Sequence, residues 1–140
     1  MSEKTLSIPV QYVLHANVTA SARPYELKEA VANSVELWLD TQALPQADHW
    51  RLVLEARVTG RTAQGAVCMV TSCAIEAIVV VAGLEPDETT DVLRFMAAPS
   101  VLGSVRSLLA SLTQGTGLGT VVLPPYSAEA IGALPPKPIV

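Results

Sequence analysis

Two histidines, two cysteines and one glycine-rich run are the features of this 140-residue chain whose types and spacing could do chemistry. His15 and His49 share no metal-ligand spacing with Cys68 or Cys73, and no serine or cysteine lies on a nucleophile turn. The two cysteines differ by an odd number of positions within a strand-like run, so their side chains point to opposite sheet faces. A disulfide between them is not expected; two buried, reduced thiols are. The run GTGLGT, Gly115 to Thr120, has the glycines of a phosphate loop, but it closes a helix instead of opening one and no lysine follows in the P-loop position. It reads as a helix C-cap and connector. No pair of groups can act as acid and base at one site, so the expectation is a non-enzyme with no catalytic residue, no metal and no cofactor.

Composition points instead to contact surface. Half of the residues are hydrophobic and mean hydropathy is +0.39, high for a soluble chain of this size. Apolar surface left over after folding belongs in a subunit interface or a binding groove. The formal charge of −4 and the absence of any Lys/Arg cluster exclude the electrostatic footprint of nucleic-acid binding. The start, MSEKTLSIPV, lacks the apolar core and cleavage site of a signal peptide, and the uncharged stretch from Ser107 to Ala128 is interrupted by Gly115, Gly117, Gly119, Pro124 and Pro125. No spanning helix fits there, and a cytoplasmic protein without membrane insertion is expected.

The elements follow from periodicity. From Thr5 to Ala20, Leu6, Ile8, Val10, Tyr12, Leu14, Ala16 and Val18 alternate with mostly polar residues, which predicts a long half-buried strand. Val35, Leu37 and Leu39 alternate with Glu36, Trp38 and Asp40 in a second; Leu52 to Val58 form a third; after the Gly60-to-Gly65 turn the apolar run Ala66 to Ala82 forms a fourth. Short connections without crossover helices imply an antiparallel meander. Then Val92, Phe95, Met96, Leu102, Val105, Leu108, Leu109 and Leu112 recur at helical spacing in one long helix kinked or split at Pro99. Those eight residues lie on more than one stripe, so they are the expected oligomer interface. Ser127 can cap a short last helix, Ala128 to Leu134. The fold class is α+β, a single domain over residues 1–134 with a disordered tail at 135–140. Trp38, in phase with Glu36 and Asp40, is expected to face away from the core.

Several strings, taken in order, resemble the SecB family of protein-export chaperones: VELWLDT at Val35 to Thr41, Ala47-Asp48 followed by Trp50, IVVVAGLE at Ile78 to Glu85, Ala98-Pro99, and Gly115-Thr116 leading to Leu123-Pro124. The resemblance runs from about Tyr12 to Leu134. It implies a four-stranded antiparallel sheet followed by a long and a short helix, assembled as a homotetramer, a dimer of dimers with the long helices between the sheets. It implies an ATP-independent holdase for unfolded polypeptides or preproteins in protein export. By position, Pro24, Tyr25 and Leu27, Met69 and Val70, and Tyr126, Ile131 and Leu134 would flank the peptide groove, with Trp38 an added contact. Ser127 stands where the family has a typical Phe. The family's sheet-face acids, which hand clients to the SecA motor, are missing: no Asp or Glu lies between Lys4 and Glu26, and Ser72 occupies the last-strand acid position. Weak or absent SecA binding is therefore expected. The alternatives are a SecB-like chaperone dedicated to a narrow client such as an antitoxin, or an oligomeric assembly protein of the same fold.

Overall fold

The structure, a computed structural model, describes residues 3–139. Four antiparallel strands, β1 (Thr5–Ala20), β2 (Ala32–Ala43), β3 (His49–Arg61) and β4 (Val67–Ala82), form one sheet in the order β1-β4-β3-β2. The expected meander holds for β2, β3 and β4, which are joined by hairpins. One of these turns at Asp48 (φ 62°) and the other at Gly65 (φ 84°), left-handed positions that suit a short polar residue and a glycine. β1 departs from it. Its partner is β4, with Val13 opposite Ile75 and Asn17 opposite Ser72. The segment from Ser21 to Val31, with a 3-10 turn at Pro24–Glu26, carries the chain across the sheet end to β2 in a Greek-key connection.

A helical segment then covers one face: α1 (Pro86–Val92), a π-helical turn (Leu93–Ala97) and α2 (Ala98–Gln114) run on without a break. Pro99 does not split the helix, because the π turn ahead of it moves the Ala98 N–H onto the Leu93 carbonyl and takes up the register change. By length and apolar composition this helix could cross a bilayer. Its buried side chains, Leu93, Val101, Leu102, Val105 and Leu109, nevertheless join Leu39, Leu54, Val58, Met69, Cys73, Ile75 and Val79 in the core. α3 (Ala128–Gly132) starts where Ser127 Oγ accepts the Ala130 N–H at 3.1 Å, as its cap position requires. Before it, the connector is pinned by Arg106, which donates to the Leu123 and Pro124 carbonyls, and by the Thr113 hydroxyl, which accepts the Val121 N–H. After it, Arg94 donates to the Leu134 carbonyl at 2.9 Å.

Candidate functional site

Among the described residues no three of His, Cys, Asp and Glu converge to hold a metal ion. Cys68 and Cys73 are both buried and free. Burial, with a further contribution from the Glu55 charge, pushes the Cys73 thiol up to about 11, so it stays protonated at neutral pH and is no nucleophile.

The surface that stands out runs along β1. Expected to be half-buried, this strand is exposed on both sides: Leu6, Val10, Tyr12, Val13 and Leu14 are all open, with Val10 and Val13 at 50%. The alternation fails because β1 is an edge strand with two irregularities, between Ser7 and Val10 and between Val13 and His15, which shift its facing twice. Two hollows lie between this edge and the helices. One, about 230 Å³, is walled by Leu6, Leu84, Val92 and Met96. The other, about 580 Å³, lies between Tyr12, Val13 and Ile75 on the sheet and Ser100, Gly103, Ser107 and Leu108 on α2. Small residues on that helix face leave the trough open, and Ser104 Oγ ties its wall to Gln11 Oε1 at 2.8 Å. An unpaired strand edge beside an apolar trough can take an extended chain by main-chain hydrogen bonds, with side chains seated in the hollows.

The residues expected to form an oligomer interface divide. Leu102, Val105 and Leu109 are buried within the chain itself, because their stripe is the one that packs on the sheet, and they cannot be interface surface. Phe95 and Met96 are exposed; Val92, Leu108 and Leu112 are half-buried, and Val92, Met96 and Leu108 line the hollows just described.

The expected groove residues do not converge on one groove. Pro24 packs at Gly117, beyond the C-terminal end of α2, whereas α3 packs on the π turn at the other end, about 25 Å away along the helix. There Gly132 lies against the Phe95 ring, where a Cβ would have no room. Tyr25 is 77% exposed and Leu27 half-buried. Met69 and Ile131 belong to the core and offer no surface; Val70, Tyr126 and Leu134 are half-buried.

Trp38 keeps its outward phase, opposite Glu55 of β3, but is only 7% exposed. The cover is a segment the periodicity could not place. Beyond α3 the tail, expected to be disordered, is held on β2: the Leu39 N–H donates to the Pro135 carbonyl at 3.0 Å and the Lys137 N–H to Asp40 Oδ2 at 3.3 Å. Lys137 Nζ then reaches Glu55 Oε2 at 2.6 Å, so its stem crosses the outer sheet face beside the indole. His15 Nε2 lies 3.3 Å from the other oxygen of Glu55, and Arg51 pairs with Glu76 alongside. Val140 lies outside the described residues.

The architecture, a four-stranded antiparallel sheet covered on one face by a long helix and followed by a short one, is the SecB-like fold. No protein-family model and no curated protein matches the chain. Among solved structures it is similar to the Mycobacterium tuberculosis SecB-like chaperone Rv1957 in complex with a ChAD peptide from the Rv1956 HigA1 antitoxin, with a TM-score of 0.73 over 87% of this chain and 91% of that one at 12% identity. A protein of unknown function from Streptococcus agalactiae overlaps with a TM-score of 0.45 and 18% identity over 88% of this chain and 99% of that one.

Proposed function

We propose that the chain is an ATP-independent chaperone that holds extended, non-native polypeptide and serves a narrow client, such as an antitoxin, in preference to general preprotein export. The observation that carries this reading is the open β1 edge with its two hollows, a surface suited to an extended chain, on the fold that Rv1957 shares. The antitoxin peptide in that complex favours the dedicated role over the export role. Charge supports the same choice. Two of the outer-face carboxylates, Glu55 and Glu76, are already engaged by Lys137 and His15 and by Arg51, and β1 contributes none, which leaves Glu36 and Asp40 of β2 and so a weaker field for SecA. In this reading the protein works in the cytoplasm as a homo-oligomer, a tetramer built as a dimer of dimers, with β1 and the exposed Phe95 and Met96 as self-association surface. It uses no cofactor and catalyses no reaction.

The deciding assay follows light scattering of a chemically denatured client diluted into buffer. Suppression at near-stoichiometric ratio without ATP is expected. Unchanged aggregation at a several-fold excess would reject the holdase reading and leave an assembly protein of the same fold. SecA is titrated separately at low and moderate salt; salt-sensitive submicromolar binding would restore the export role.

A further inference from the structure

The acid-lined patch under Lys137 runs from the β2 edge over β3 on the outer sheet face, where Leu14 and His15 of β1 border its far side, and it stands independently of the holdase reading. We propose that it is a second polypeptide-binding site, which takes an extended, lysine-bearing segment of another chain and which the C-terminal tail occupies in cis.

The contacts of the tail define what the site reads. A strand edge supplies a main-chain donor, the Leu39 N–H, to the Pro135 carbonyl. Two carboxylates read the lysine: Asp40 takes its backbone N–H and Glu55 its ammonium. Glu55 is 93% buried by the sheet and the tail, and without Lys137 only His15 would remain against it. A buried carboxylate that loses its cation is costly, so the emptied site favours a new cation over none.

Composition makes the tail a weak occupant. Pro135, Pro136 and Pro138 have no N–H, so none of them can donate to a β2 carbonyl. A segment with ordinary residues at those places adds the ladder bonds that the tail lacks and keeps the lysine contact. There is also room for a longer ligand. A hollow of about 370 Å³, walled by Leu14, Thr41, Arg51 and Val53, continues from Asp40 and Glu55 across the outer face.

The test uses the full chain and a fluorescein-labelled pentapeptide, Ala-Val-Lys-Val-Ala, followed by anisotropy. Lys137→Met removes the cis cation and so weakens the tail's hold, and the variant is expected to bind the peptide up to about fivefold more tightly than the unaltered protein. Adding Glu55→Gln to that variant returns affinity to the unaltered level or below, and the peptide with methionine in place of lysine binds at least about tenfold more weakly. Equal affinity of the Lys137→Met and unaltered chains overturns the proposal. So does binding that survives Glu55→Gln, which would place the peptide on the β1 edge. A second measurement needs no substitution: a photoreactive version of the peptide at saturating concentration is expected to cross-link to β2 between Leu39 and Gln42. Cross-links confined to β1 overturn the proposal equally.

Discussion

β1 and β2 are the two edges of one sheet, and they meet solvent in opposite ways. β1 has thirteen exposed residues among its sixteen and carries no Asp, Glu, Lys or Arg, and its open positions include Val10, Tyr12, Val13 and Leu14. β2 carries Glu36 and Asp40, and part of its edge is closed by a proline-rich tail that cannot itself extend a ladder. Free edges invite unwanted pairing, and proteins usually blunt them with charge, proline, bulges or a cover. β2 has charge and a cover. β1 has only Pro9 and two irregularities, which interrupt pairing without repelling it. The difference teaches that one edge is left open while the other is covered by the chain's own tail, which any partner would have to displace.

The most severe way to break this contrast is to remove the platform that carries both edges. Val105→Glu and Leu109→Glu each place an unpaired charge at a position with no solvent access, between α2 and the sheet. The expected cost is about 4 kcal/mol or more, enough to abolish cooperative melting instead of splitting an oligomer. Circular dichroism during heating checks this. A folded monomer from either variant would mean that the helix stripe faces a neighbouring subunit.

A milder change should separate the edges. Val10→Lys with Leu14→Lys puts charge on exposed β1 positions, so stability should move by about 0.5 kcal/mol or less per site while client capture and self-association weaken about tenfold. Ala32→Lys, an exposed position on β2 outside the tail-covered stretch, should leave both unchanged. If the β2 change weakens capture as much as the β1 pair, the two edges are equivalent and the contrast fails.

What the residues disclosed in advance follows the range of the forces involved. Hairpins between β2, β3 and β4 were legible, because short turns and period-two alternation are local signals. The pairing of β1 with β4 was not. Alternation reports which face a side chain takes, not which strand lies next to it, and in β1 even the facing is broken by the two irregularities. In the helix, spacing identified Leu102, Val105 and Leu109 as apolar, but nothing local says which stripe meets the chain's own sheet and which is left outside. Trp38 shows the same limit in one residue. Its outward phase was legible, whereas its cover comes from Lys137, whose backbone contact at Asp40 lies 97 positions away. The open edge could have been suspected from one signal, the absence of any Asp, Glu, Lys or Arg from Thr5 to Ala22.

The smallest effect concerns a single amide. The Leu39 N–H points out of the sheet edge and has the Pro135 carbonyl as its acceptor at 3.0 Å, so it should exchange with solvent slowly although its strand is an edge. That bond lasts only while the tail stays down, and the tail is held most firmly by the Lys137 pair with the buried Glu55 carboxylate. Lys137→Met removes that pair and leaves Pro135 in place, so local opening should become easier by about 1 kcal/mol, the net worth of one such interaction. Read by hydrogen exchange with residue resolution, this is about a fivefold loss of protection at Leu39. The Leu54 amide in central β3 should not change, since its exchange requires the sheet itself to open. If Leu39 exchanges in the unaltered protein as fast as an open edge amide, the tail does not close β2. The sheet would then have two free edges, and its two sides would differ in charge alone.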